Sequence, residues 1–251
     1  MQVVVIPALS DNYIYVLLDE FEPQTAAVVD PGAAAPVLEY MVQAGRRLTA
    51  ILNTHHHRDH TGGNAELLRH FPGIPVYGGA EDRGRIPGQT VFLRGGDEVA
   101  AGGVAAKVLD IPGHTRAHIG YWFSSETGHD LFSGDAVFGA TIGNLFEGTP
   151  DAMFRSMQNI RALPPRTRIW CSHEYTLRCV RESAAVDAHN PRLAARLRTL
   201  EATAGMGRPT VPLLLEEECL TSPFFRWDDP GLSRLLGTPP GLPTFKRLCE
   251  I

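Results

Sequence analysis

An α/β (α+β) sandwich followed by a small helical domain is the architecture this sequence predicts, and three observations predict it. Up to about residue 173, short runs rich in Val, Ile and aromatic residues alternate with segments of helical spacing. Beyond His173, Leu, Val and Ala recur at helical spacing between Arg and Glu. Several of the strongest apolar runs also hand over to a His or Asp at their C-terminal ends, as expected of a scaffold that carries chemistry on its loops. With 251 residues, 43% of them apolar and 20% charged, the chain has the composition of a globular protein with one large domain and an appendage.

In chain order, "QVVVI" and "YIYVLL" predict two adjacent strands, and "AAVVDPG" a third that ends in a Pro-Gly turn. Residues Ala35 to Ala44 have apolar positions at helical spacing, and Gly45 closes the segment. "LTAILNT" is a buried strand, followed after Thr61 by a helix to about His70 and by a strand at "IPVYGG". "VAAKVLDI", "IGYWF" and "DLFS" are further strands; a helix near Met153 to Ala162 leads into a last one, "RIWCS". We divide the chain at 173/174: residues 1–173 as the catalytic domain, 174–251 as a helical domain that contains the Pro-rich stretch "RPTVPLLLEEECLTSPFF".

Composition excludes some functions. A net charge of −5 and the lack of a basic run speak against nucleic acid as partner. The opening residues have no basic n-region, and no segment approaches the roughly 18 apolar residues of a membrane span, so a cytoplasmic location is expected, with no membrane association. Four scattered cysteines without a CxxC pair are expected to be free thiols, Cys171 as core.

"LTAILNT" delivers "HHHRDH": His55, His57, Asp59 and His60. In extended backbone alternate side chains share a face, so His55 and His57 can grip one ion. Asp59 and His60 lie where a helix can start and are aimed differently, toward a second ion. "AKVLDIPG" is followed by His114, "DLFSG" by Asp135 and "RIWCS" by His173; strands of like orientation in one sheet would bring these loops to one edge. Five His and two Asp form a nitrogen and oxygen donor set that suits Zn²⁺, Fe²⁺ or Mn²⁺. Seven donors exceed the three or four of a single zinc site and imply two divalent ions, with a carboxylate such as Asp135 able to bridge them. Taken alone, His114 and His173 read as ordinary hydrogen-bonded histidines and Asp135 as a turn residue; the dense cluster is what gives the set its meaning. His56 is expected to be structural, and His70, His118, His129 and His189 to have no role at the site.

"THHHRDHTGG", "PGHTRAH", "FSGDAVF" and "CSHEYT", in this order, resemble the metallo-β-lactamase superfamily, and within it the glyoxalase II (hydroxyacylglutathione hydrolase) family. The likeness extends to "VVIPALSDNYIYVL", "FEGTP" and "PTVPLLLEEECLTSPFFR". The resemblance implies an αββα sandwich with a dinuclear site: His55, His57 and His114 on one ion, Asp59, His60 and His173 on the other, and Asp135 between them. It implies hydrolysis of a glutathione thioester, typically S-D-lactoylglutathione, to the hydroxy acid and glutathione, the second step of methylglyoxal detoxification. Asp59 and Asp135 are the expected catalytic carboxylates, zinc the expected metal, and a monomer the expected state. The chemistry fits, because two metals lower the pKa of a shared water and thiolate leaves without a strong acid.

The substrate-binding positions depart from the family pattern. Asn144 stands where Arg or Lys is usual, and Cys249 falls on the Arg of a basic pair whose Lys lies past the last residue given. Neither Asn nor Cys replaces a bidentate Arg–carboxylate contact, although Arg247 or Lys246 can act from one turn earlier. Tyr175 and Phe146 match substrate-contacting aromatics of the family. Two alternatives remain open: a thioesterase for another thiol carrier, and a persulfide dioxygenase with one iron, which generally lacks so long a helical extension.

Overall fold

Gln2–Ala8 (β1) and Asn12–Leu18 (β2) form the expected antiparallel hairpin, paired from Gln2 with Leu18 to Ala8 with Asn12. It begins the first of two units in the computed structural model, which describes residues 1–126 and 128–251. The first unit comprises Met1–Asp110 and Ala117–Gly134; the second comprises Ile111–Arg116 and Asp135–Ile251.

In the first unit, β2 continues antiparallel into Thr25–Val29 (β3), and every residue of both strands is buried. The chain then crosses over through Ala35–Ala44 (α1) to Arg47–Leu52 (β4), parallel to β3. Parallel neighbours need such a crossover, and a helix supplies it. The helix α1 has the predicted bounds: Pro36 lies in its first turn, and Gly45 closes it at φ 61° with its N–H on the Met41 and Val42 carbonyls. Val37 and Met41, one turn apart, enter a core with Ile14, Val16, Val28, Leu48 and Ile51.

After β4, Arg58–Thr61 (α2) and Asn64–His70 (α3) lead to Val76–Gly79 (β5), and Val91–Leu93 (β6) completes a sheet of order β1-β2-β3-β4-β5-β6. The helix predicted after Thr61 is α3, ending at His70 as expected; the short α2 precedes it, and the two are parted at Gly62–Gly63. A Cβ on Gly62 would sit 2.6 Å from the Gly32 carbonyl oxygen, and one on Gly63 2.6 Å from that of Pro31, so only glycine lets these loops touch.

Glu98–Ala101 (β7), Val104–Asp110 (β8), Ile119–Ser125 (β9) and Gly128–Gly134 (β10) form an antiparallel meander. In β8, Ala106 and Val108 face inward while Lys107 faces out, the alternation of a sheet with one wet side. The two sheets of this unit meet through Tyr15 of β2 against Phe132 of β10, ring centroids 5.4 Å apart. The donor-bearing strands therefore do not share one sheet, as the sequence suggested: β4 belongs to the first, β8 and β10 to the meander.

The second unit opens with the short hairpin Val137–Phe138 (β11) and Thr141–Ile142 (β12). Pro150–Arg161 (α4) follows, capped by the Thr149 hydroxyl accepting the Ala152 N–H. Arg168–Cys171 (β13) pairs with Leu213–Leu214 (β14), a strand inside the Pro-rich stretch that helical spacing does not predict. The rest is helical: Thr176–Val186 (α5), Pro191–Thr203 (α6), Leu215–Thr221 (α7), Pro230–Leu236 (α8) and Leu242–Leu248 (α9). Phe154 of α4, Trp227 and Phe245 of α9 pack edge to face. None of the four cysteines forms a disulfide among the described residues, and Cys171 and Cys179 are buried. Among the described residues no helix is long and apolar enough to cross a membrane.

Candidate metal centre

The loop after β4 places His55, His57, Asp59 and His60 together in the first unit. Ring centroids of His55 lie 4.6 Å from His57 and 4.1 Å from His60. His57 leads into α2 in extended conformation at ψ 146°, while Asp59 and His60 lie on that helix; this change of backbone aims the two pairs differently. His55 and His60 are buried, and the Asp59 side chain is 40% exposed.

Asp30, at the end of β3, organises this loop and was not among the predicted residues. It is buried at φ 49°, with Oδ1 accepting the Thr54 N–H at 2.8 Å and Oδ2 accepting the Thr54 hydroxyl at 2.7 Å. Because that hydroxyl donates to Asp30, its oxygen is left to accept from His55 Nδ1, 3.0 Å away. His60 Nδ1 likewise faces Asp30 Oδ2 at 3.0 Å. Both rings are thereby set in the Nδ1–H tautomer, which leaves the Nε2 lone pair as the ligand atom. Asp30, His55 and His60 each present a donor atom within 4.8 Å of the others. Since both Asp30 oxygens already accept hydrogen bonds, we assign it an orienting role.

Other contacts hold the loop. Asn12 Nδ2 donates to Asp59 Oδ2 at 3.1 Å, and Asn53 Nδ2 to the His60 carbonyl at 2.9 Å. His118, expected to be unrelated to the site, is buried and stacks on His55, centroids 4.7 Å apart and planes at 18°. A Cβ on Gly134 would meet that ring at 2.8 Å, so the glycine makes room for it. His56, as expected, turns away: Nδ1 faces the buried Asp82 at 3.0 Å, and Nε2 faces Arg85.

In the second unit, His114, Asp135 and His173 come together. His114 Nε2 lies 3.4 Å and His173 Nε2 3.5 Å from the same oxygen, Asp135 Oδ2, and all three residues are buried. His114 Nδ1 donates to the Asn144 carbonyl at 2.8 Å, which again turns the Nε2 lone pair inward. Gly143 permits this close fold, for a Cβ there would lie 1.9 Å from the Asp135 carbonyl oxygen. A lone pair aimed at a carboxylate oxygen, as on His114 Nε2, repels it unless a cation or proton lies between them. The donor set in each unit thus fits hard or borderline cations bound by nitrogen and oxygen.

The predicted substrate residues are also in the second unit. Tyr175 stacks on His173 at 4.7 Å with planes at 10°, and the Arg178 guanidinium lies over the Tyr175 ring, 4.6 Å from its centroid. Phe146 is 67% exposed, with its ring edge-on to His114. The Asn144 side chain is exposed, while its carbonyl serves His114. Arg247, on α9, donates to Glu250 at 3.0 Å, and Lys246 pairs with Asp151 at 2.9 Å. Cys171 is fully buried, which raises its thiol far above the ordinary range and leaves it neutral core.

A mixed α/β scaffold with histidine and aspartate donors on loops after its strands is the signature of a metal-dependent hydrolase class. The metallo-β-lactamase superfamily model matches residues 11–173, and the model "hydroxyacylglutathione hydrolase C-terminus" matches residues 174–251. The chain is 52% identical to a hydroxyacylglutathione hydrolase of Synechococcus sp. (strain JA-2-3B'a(2-13)), over 99% of this chain and 97% of that one. It is 49% identical to a protein of the same name from Nostoc punctiforme, over 100% and 98%. Among solved structures, ETHE1 from Myxococcus xanthus superposes with TM-score 0.60 at 26% identity, covering 84% of this chain and 95% of that one. TTHA1623 in a di-iron-bound form superposes with TM-score 0.55 at 26% identity, covering 69% and 92%. The chain belongs to the hydroxyacylglutathione hydrolase (glyoxalase II) family of the metallo-β-lactamase superfamily, with the αββα sandwich and C-terminal helical region of that family. The superfamily implies a dinuclear metal site.

Proposed function

We propose that the chain hydrolyses S-2-hydroxyacylglutathione thioesters, S-D-lactoylglutathione above all, to D-lactate and glutathione. His55, His57 and His114 would hold one divalent cation; Asp59, His60 and His173 a second; Asp135 would serve both. We take zinc as the metal, with iron or manganese compatible with the same donors. The observation that carries this reading is the set of Nε2 atoms turned toward carboxylates: those of His114 and His173 on Asp135 Oδ2, and that of His60 3.4 Å from Asp59 Oδ2.

When bound, the two cations supply a water ionised near neutral pH and a Lewis acid for the thioester carbonyl. The protein's residues prepare that site. Asp30 and Thr54 hold His55 and His60 in the ligating tautomer, and the Asn144 carbonyl does the same for His114. Asp59 and Asp135 contribute the negative charge that makes the centre retain two dications. The thiolate leaves as a stabilised anion, so no side chain has to protonate it. Tyr175 and Phe146, beside His173 and His114, are the residues we assign to the substrate, with Asn144 and Arg247 toward its glutathionyl end. Functionally we divide the chain at 173/174, with every metal donor before it and Tyr175 and Arg247 after it, the point where the two matching family models meet. The proposal puts the enzyme in the cytoplasm as a monomer acting on a small molecule, and the charge of −5 is in keeping with the lack of a nucleic-acid partner.

One feature favours a second reading on the thiol carrier. Asn144 is neutral, and Arg247 is paired with Glu250, so the glycine carboxylate of glutathione lacks a dedicated free guanidinium there. A thioesterase for a different carrier would share every metal donor. Metal content and turnover of S-D-lactoylglutathione separate the readings: two ions per chain with a KM in the ordinary range support the glutathione substrate. Two ions with KM raised tenfold or more, and another thioester preferred, support the other carrier. One iron per chain with O₂ uptake would sink both. Asp135→Asn should lower metal content and kcat together.

A further inference from the structure

Ala140 closes the β11–β12 hairpin at φ 62°, a conformation that side chains other than glycine rarely adopt. It is fully buried, and three separate contacts hold it. Its N–H donates to Glu218 Oε2 at 2.8 Å, its carbonyl accepts from the Ser183 hydroxyl at 2.8 Å, and its methyl packs with Val180 and Leu193. Glu218 is itself fully buried on α7, with its other oxygen bound by Arg196 Nη2 of α6 at 2.5 Å. Arg196 in turn donates through Nη1 to the Thr221 hydroxyl at 2.8 Å. A buried ion pair far along the chain is thus spent on one strained turn.

The stems of that turn lead to the metal donors. Asp135 lies two residues before β11, and Asn144, two residues past β12, holds His114 through its carbonyl. The Gly143 N–H returns to the Ala136 carbonyl, tying the stems together. Between them Phe138 packs edge-on to His173, centroids 5.9 Å apart, and beside Tyr175 at 5.4 Å. The hairpin and its stems therefore reach all three donors of this unit, and its tip is gripped by α5, α6 and α7.

We propose that Glu218, backed by Arg196, is a positioning residue for the hydrolysis: it holds Ala140 in its left-handed turn and so sets Asp135 and His114 for metal binding. The inference rests on the seven-donor reading above. If the carboxylate acts through the strain at Ala140, then glycine at 140, which adopts that turn freely, should replace its action on the site. It should not replace the stability lost with the buried pair.

The test compares wild type, Glu218→Gln, Glu218→Gln with Ala140→Gly, and Ser183→Ala, which cuts the second tie and leaves the ion pair whole. Metal retention is read by chelator competition without substrate, alongside kcat, KM and Tm. We expect Glu218→Gln to lose metal affinity and kcat by about 10- to 100-fold, as for other residues that orient ligands. Adding Ala140→Gly should restore most of both while Tm stays low. Ser183→Ala should lose a few-fold in metal retention with Tm lowered by only about 2–4 °C, the scale of one hydrogen bond, and decides the matter alone if the Glu218 variants do not fold. Wild-type retention and kcat in Glu218→Gln, rescue of Tm without rescue of metal binding, or an unaffected Ser183→Ala would overturn the proposal. A wild type that binds fewer than two ions would instead overturn the seven-donor reading.

Discussion

Asp30 Oδ2 stands 3.0 Å from Nδ1 of His60, and the same carboxylate accepts both the backbone N–H and the hydroxyl of Thr54. One buried carboxylate thereby decides which nitrogen two imidazoles present. Asp30→Asn keeps the shape and tolerates positive φ, but its amide cannot accept at both ends. We expect metal affinity to fall about 10- to 100-fold in chelator competition. Stability should fall by about 1–3 kcal/mol in urea unfolding, for the buried donors left unmatched.

Gly32 sits against the metal loop. A Cβ there would lie 1.9 Å from the Asp59 carbonyl oxygen, which is backbone and cannot rotate aside. Gly32→Ala should therefore cost about 1–3 kcal/mol and lower metal content. Gly45→Ala, at φ 61° with open space around it, should cost about 1 kcal/mol and leave metal content and kcat unchanged. Thermal unfolding and metal analysis of the pair distinguish a clash at the site from simple backbone strain.

Asn144 offers an exposed neutral side chain next to the carbonyl that holds His114. Asn144→Arg adds a guanidinium without disturbing that carbonyl. For a glutathione thioester the expected result is a KM lower by about 3- to 10-fold with kcat little changed, a gain of uniform binding. Steady-state kinetics check it; an unchanged KM would argue that the glutathionyl carboxylate does not reach this side chain.

Burial, with the nearby Glu250 charge adding to it, pushes the Cys249 thiol up to about 11. At neutral pH it is a thiol, and its alkylation rate should rise tenfold per pH unit well past the point where free cysteine levels off. The folded protein holds this proton more tightly than the unfolded chain. Its contribution to stability is therefore complete below the ordinary thiol pKa near 9 and is lost as pH rises toward 11. Cys249→Ser should flatten the decline of the urea midpoint between these pH values.

The bounds of α1 followed from the apolar spacing and Gly45, because each acts within a turn of its own position. Why Gly62 and Gly63 must be glycine did not, since they look like ordinary helix punctuation until Pro31 and Gly32 come close in space. The strand β14 was hidden for the same reason: two leucines pair with Arg168 and Ile169 only because the chain returns there. At the candidate site "HHHRDH" announced itself by density alone. Asp30, lodged in "VVDPG", reads as a turn residue, and His118 as one histidine among several. Their link to His55 and His60 spans 24 residues or more, and no local pattern encodes it.

Residue chemistry and short-range spacing were enough to name the donor types and the order of the main elements, and the resemblance of the ligand motifs added the αββα family, since periodicity, caps and motifs are written within a few neighbouring positions. Folding in three dimensions decided the rest: which imidazole nitrogen faces a cation, which glycine must stay small, and why an alanine holds a glycine's conformation over Glu218. Those depend on distances between remote segments, which arise only when burial forces unmatched polar groups to find partners wherever the fold brings them.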